Sequence, residues 1–226
     1  MKQRKLTSED TFNDYPIMTN KEKKQFCDTD ILQEIQDQME YAENSKTKTF
    51  CMRLDLRLPE ELHHTDNRIF SRFQTLFMTN LSRKGLSPQY VAVREQSREK
   101  HQHYHELLLL DGQKTRCITN HLKTAERLWN KALGRSGENS GLVDDCTTFR
   151  SGVKGSNGVL LDPNDPEYEA KQNDVFYRAS YLAKENTKQN TPKGQRELFS
   201  SRIPKDINSP RKRNEKKQAS TGYSDL

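Results

Sequence analysis

Apolar and polar residues alternate strictly from Phe50 to Leu58: Phe50, Met52, Leu54, Leu56 and Leu58 are apolar, with Cys51, Arg53, Asp55 and Arg57 between them. A period of two predicts a β-strand with one face in a core, and Pro59 stops it. From Asn67 to Lys84 the period becomes helical, with Ile69, Phe73, Leu76, Phe77 and Leu81 on one face and Gly85 as the terminating glycine. After the Ser87-Pro88 turn, Tyr90–Glu95 and His103–Leu110 predict two strands joined by the polar connector QSREKHQ, and a connector this short makes them an antiparallel hairpin. Thr119–Leu133 predicts a second amphipathic helix, followed by a Gly- and Ser-rich loop over Gly134–Gly141. Short strands are expected near Leu142–Cys146 and Val159–Leu161. Pro163 and Pro166 then break the chain before a last helix, Glu169–Lys184.

Upstream, Ile31, Leu32, Ile35 and Met39 give Thr29–Asn44 a helical period, capped by Asp28 or Thr29, while residues 1–27 are polar and show no period. The expected organisation is a polar N-terminal arm with an accessory helix (1–47), one folded domain (48–186) and a largely disordered tail (187–226). The domain's order, β-α-β-β-α-β-α, predicts an α+β fold with helices packed on an antiparallel sheet.

Composition narrows the class. The 226 residues are 31% charged and 31% hydrophobic, with a mean hydropathy of -1.08. No run approaches the roughly 18 apolar residues of a membrane helix, and MKQRKLTSED lacks the apolar stretch of a secretory signal, so a cytoplasmic protein without membrane contact is expected. Cys27, Cys51, Cys117 and Cys146 form no CxxC pair, which suits reduced structural thiols. The net charge is +6, and residues 185–226 hold 10 basic against 5 acidic residues, so nearly all the excess lies in the tail. Its PRKRNEKK run would attract a polyanion by counterion release, or merely keep a flexible tail solvated.

Chemistry concentrates on the predicted hairpin. In His101-Gln102-His103-Tyr104-His105, alternation puts His103 and His105 on one face, their Cβ atoms roughly 7 Å apart, within reach of a shared cation. The midpoint between residues 95 and 103 falls at 99, inside the connector, so a symmetric hairpin sets Glu95 directly across from His103, about 5 Å away. One carboxylate and two imidazoles make an O/N set suited to Mg²⁺ or Mn²⁺ with positions left for a substrate oxygen. The competing expectation pairs Glu95 with Arg94, Arg98 or Lys100; His101 shares the parity of His103 and could substitute as a ligand, though its place in the connector favours a solvated role. On the last helix Tyr177 and Tyr181 stand one turn apart, with Lys184 three residues further. A phenol of pKa near 10 needs an adjacent cation to act as a nucleophile. Otherwise the helix simply buries its aromatic rings.

Taken together these residues resemble the HUH endonucleases that initiate rolling-circle replication, with an HxH strand after a Glu-bearing strand and then a YxxK helix. CMRLDLRLP, YVAVREQ, HQHYHELLLLDG and VFYRASYLAK are, more closely, similar to the YagK/YfjJ C-terminal family, also called inovirus Gp2-like proteins. That resemblance spans about residues 48–202 and implies an HUH endonuclease/RRM-like fold. It implies metal-dependent nicking and rejoining of DNA at an origin through a covalent 5′-phosphotyrosine, which starts rolling-circle replication of a phage or prophage element in a bacterial host. His103, His105 and Glu95 are then the metal ligands, Tyr181 the first-choice nucleophile, Lys184 its cationic partner, and Tyr177 the second tyrosine of a two-tyrosine initiator. Tyr177 is followed three residues on by Ser180 where Tyr181 has Lys184.

Single-stranded or melted DNA is the expected substrate, with Arg53, Arg57 and the tail as candidate backbone contacts. No GxxxxGK[ST] occurs, so a host helicase and replication machinery would supply unwinding. The rival readings are a non-catalytic DNA-binding regulator descended from such a nickase and a histidine-triad enzyme acting on nucleoside phosphates.

Overall fold

A computed structural model of the chain describes residues 4–62, 66–96, 102–135, 141–147, 157–185, 188 and 191–204. Four short strands come first: β1 (Leu6–Thr7), β2 (Thr11–Phe12), β3 (Tyr15–Pro16) and β4 (Cys27–Asp28). Then follow α1 (Thr29–Ser45), β5 (Thr49–Arg57), α2 (Arg68–Arg83), β6 (Gln89–Glu95), β7 (His103–Asp111) and α3 (Ile118–Leu133). The remainder is β8 (Val143–Asp144), β9 (Val159–Leu161), α4 (Tyr168–Ala179), a 3₁₀ turn (Ser180–Ala183) and β10 (Leu198–Ser200). The fold is α+β: an antiparallel sheet in the order β10-β6-β7-β5, with β8 and β9 both on the far flank of β5. Among the described residues no helix is long and apolar enough to cross a membrane.

Strand alternation decides which layer each side chain joins. Phe50, Met52, Leu54 and Leu56 of β5, with Tyr104, Leu108 and Leu110 of β7, bury against Phe70, Phe73 and Phe77 of α2 and Leu128 and Trp129 of α3. Trp129 also donates its indole N–H to the carbonyl of Arg57 (2.8 Å), which ties α3 to the end of β5. Truncating a ring as enclosed as Phe73 costs about 3–5 kcal/mol. The opposite sheet face, through Cys51, Val91, Val93, Leu107 and Leu109, takes Ile31, Leu32, Ile35 and Met39 of α1 and Val175 and Phe176 of α4. Helices therefore cover both faces of the sheet.

The expected N-terminal arm is not loose. Asn13 and Asp14 adopt φ of 46° and 68°, the two left-handed residues that a tight β2–β3 hairpin needs and that Asn and Asp tolerate. The hairpin delivers Tyr15 onto Phe176 (stacked, 4.3 Å), and Asp28 caps α1 by accepting from the N–H groups of Asp30 and Ile31. A window dominated by polar residues hides these few contacts from a periodicity reading.

The last helix is also shorter than its pattern. Ser180 accepts an N–H from Met18 (2.8 Å) and donates to the carbonyl of Tyr177 (2.6 Å), so its hydroxyl competes with the helical ladder. The backbone tightens into the 3₁₀ turn, after which Cys27 bridges Lys184 and the Glu185 N–H reaches the Phe26 carbonyl. Within the expected disordered tail, Leu198–Ser200 instead forms β10 on β6, with Phe199 against the rings of Phe70 and Tyr104. The PRKRNEKK run lies outside the described residues.

Candidate active site

Four rows of opposed residues cross the α1/α4 face of the sheet, and they grow more polar toward one end. Cys51 faces Leu109; Arg53 faces Leu107 and then Val91; Asp55 faces His105 and then Val93; Arg57 faces His103 and then Glu95. The hairpin register sets Glu95 against His103, as its symmetry predicts. Arg94, the expected competitor for Glu95, has the opposite parity and bonds to Asn67 and Gln96. Arg98, Lys100 and His101 lie outside the described residues.

Glu95, His103 and His105 offer ligand atoms that all lie within 4.8 Å of one another. Glu95 Oε2 sits 2.5 Å from His105 Nε2 and 3.4 Å from His103 Nε2. On its other side His105 presents Nδ1 to Asp55 Oδ1 at 2.7 Å, and Arg53 approaches the same oxygen at 3.3 Å. Burial disfavours charge on Glu95, Asp55 and His105, but their hydrogen-bonding and oppositely charged neighbours outweigh it. The Glu95 carboxyl is held well below the usual carboxylate range by His103 and His105, and Asp55 likewise by His105 and Arg53. Burial alone would lower the His105 pKa, yet Asp55 and Glu95 together raise it.

This donor set fits a divalent cation. An anionic oxygen and two imidazole nitrogens converge, and the Nε2 of His105 that meets Glu95 is the atom a cation would take. Asp55 would then hold Nδ1–H and fix the tautomer and the ring plane.

The 3₁₀ turn brings Tyr181 to this group. Its ring meets the His105 ring edge-on, with centroids 5.0 Å apart, and His103 meets His105 edge-on at 4.9 Å. Two cations flank the phenol: Lys184 Nζ lies 4.8 Å and the Arg53 guanidinium 5.1 Å from the ring centroid. Tyr177 is not drawn in; its side chain is 38% exposed and touches neither histidine nor Glu95 among the described residues.

The family model for the YagK/YfjJ C-terminal domain matches residues 7–199. The chain belongs to that family. No curated protein sequence matches it. The match begins near β1, in keeping with an N-terminal segment that packs into this YagK/YfjJ C-terminal domain. Of the residues singled out by sequence, the domain gathers Glu95, His103, His105, Tyr181 and Lys184 and leaves Tyr177 at the surface. Arg53 is occupied by Asp55 and by the Arg178 carbonyl (3.1 Å), and the exposed Arg57 by Asp144 (3.3 Å). Sequence reasoning missed Asp55. Its only signal is an acid in the middle of the Phe50–Leu58 alternation, whose other intervening residues are two arginines and a cysteine.

Proposed function

We propose that this protein nicks and rejoins DNA through a covalent 5′-phosphotyrosine, with a divalent cation held by Glu95, His103 and His105 and with Tyr181 as the nucleophile. The reading rests on one observation above the rest: Tyr181 packs edge-on against His105, 5.0 Å between ring centroids, so phenol and cation ligands share one site. Supporting it is the strand order β8/β9-β5-β7-β6, in which β5 and β7 lie centrally. That order is expected of the split β-α-β arrangement and of the HUH-type, RRM-like fold.

A bound Mg²⁺ or Mn²⁺ supplies Lewis acidity toward a non-bridging phosphate oxygen and a template for in-line displacement. The chain's own residues do the rest. Tyr181 Oη bonds to phosphorus and releases its proton, while the 3′ oxygen leaves and takes one up, giving a free 3′-OH that can prime synthesis. Lys184 and Arg53 beside the ring stabilise negative charge on the phenolic oxygen and on the phosphoryl group. Asp55, 2.7 Å from His105 Nδ1, would orient that ring by accepting its Nδ1–H. Melted or single-stranded DNA is the substrate in this reading, and the role is initiation of rolling-circle replication of a phage or prophage element, with unwinding from a host helicase.

The test is a denaturing gel for protein–DNA adduct. Tyr181→Phe is expected to abolish the adduct while DNA binding persists, and His103→Ala to remove metal-dependent cleavage. Adduct from Tyr181→Phe but not from Tyr177→Phe would reverse the nucleophile assignment. No adduct from the wild-type chain on any origin-bearing strand would leave the DNA-binding regulator as the better reading.

A further inference from the structure

The helices sort their charge by layer. α1 carries Asp30, Glu34, Asp37, Glu40 and Glu43 and no basic residue. α2 carries Arg68, Arg72 and Arg83 and no acid, and α3 carries Lys123, Arg127 and Lys131 against Glu126 alone. Arg72, Arg83, Lys123, Arg127 and Lys131 are all exposed, and none forms an ion pair among the described residues.

α2 and α3 pack side by side and run antiparallel. Burial and the nearby Lys84, at the end of α2, together depress the pKa of His121 at the start of α3. Beyond the far end of α3, Arg135 pairs with Glu61, which precedes α2. At 16 residues apiece each helix is roughly 24 Å long, so its charges span several phosphates of a nucleic-acid backbone.

We infer that the outer surface of the α2–α3 layer binds the phosphate backbone of double-stranded DNA. The surface is separate from the tyrosine site, because it lies on the other side of the sheet, and it rests on charge placement whether or not Tyr181 cuts. Duplex is favoured over single strand because a single strand is held by bases stacking on aromatic rings. Among the described residues the large exposed hydrophobic side chains are Leu6 and Tyr177, and neither is on this layer. A cationic helical surface with no stacking platform suits backbone contact alone.

The test is fluorescence anisotropy of the full-length protein with a labelled blunt duplex of ~20 base pairs, titrated with salt in excess chelator so that cleavage plays no part. Replacing Arg72, Lys123, Arg127 and Lys131 by Glu is expected to weaken duplex binding at least about tenfold and to flatten the dependence of log affinity on log salt by ~0.9 for each phosphate no longer neutralised. The fourfold change to Gln, with circular dichroism matching the wild type, should give a smaller loss in the same direction. Unchanged duplex affinity and slope in both variants would overturn the inference. So would a wild-type preference for a single strand of equal length, or a dimer that the variants dissolve without loss of duplex binding, since the basic layer would then meet the acidic α1 of a second copy. Adduct formation is read separately, so failure here leaves the nicking proposal standing.

Discussion

His105 lies between two carboxylates: Glu95 hydrogen-bonds Nε2 at 2.5 Å, while Asp55 Oδ1 stands 2.7 Å from Nδ1 at an angle that makes no hydrogen bond, and the residue is 4% exposed. A buried ring with a carboxylate beside each nitrogen would have little orientational freedom left to lose if a cation took the place of the proton on Nε2, and a small rotation would then let Asp55 accept from Nδ1–H. The second carboxylate is therefore expected to matter as much for metal binding as a direct ligand's neighbour usually does. Asp55→Asn should weaken Mn²⁺ binding about 10–100-fold by calorimetric titration, with the fold intact by circular dichroism. A variant that binds Mn²⁺ as tightly as the wild type would remove Asp55 from the site.

At the scale of elements, β7 carries two opposite chemistries on its two faces. Its odd residues hold His103 and His105, while its even residues place Glu106 against α2, fully buried, where Oε1 accepts from Gln74 (3.2 Å). Burial pushes the Glu106 pKa up to about 8, and the Gln74 hydrogen bond offsets only part of that. Unfolded, the same carboxyl ionises near 4.3. The unfolded chain thus loses its proton first as pH rises, and stability should fall between about pH 4.5 and pH 8, by on the order of a few kcal/mol, and then level off. Glu106→Gln keeps a partner for Gln74 and should remove this contribution to the slope, leaving that of His105. It should melt at least about 4 °C above the wild type at pH 8 and close to it at pH 5. Equal melting of the two proteins at pH 8 would show Glu106 to be ionised without cost.

The same strands explain what the sequence could and could not reveal. Glu95 opposite His103 was legible because connector length fixes a hairpin register. The helices were legible from their apolar faces, with the glycine stop after α2 falling at Gly85, φ 71°. Asp55 was not, because nothing between Phe50 and Leu58 says that β5 pairs with β7, and that pairing alone sets Asp55 against His105. The approach of Tyr181 was legible in order along the chain but not in position. It depends on the Ser180 hydroxyl ending α4 and on the N-terminal segment clamping the turn at Met18 and Cys27.

Over the whole molecule, the first described residues meet the segment that leads to β10. Arg4 pairs with Glu197 (2.7 Å) and donates to the carbonyl of Lys188 (3.0 Å), so the first described residue braces the segment that leads to β10. β10 itself is three residues long, as is β9, and β8 is two. Among the described residues the sheet therefore offers no long unpaired rim to a passing chain, a protection against edge-to-edge aggregation that needs few residues. A protein truncated after Gln195 would bare the amides of Tyr90, Ala92 and Arg94 on a seven-residue strand. It should scatter light on gentle warming and bind a cross-β dye, whereas truncation after Pro204, which spares the outer strand but removes the basic run, should stay clear. Equal clarity of the two would mean that β10 is not what keeps the edge of β6 from pairing with other chains.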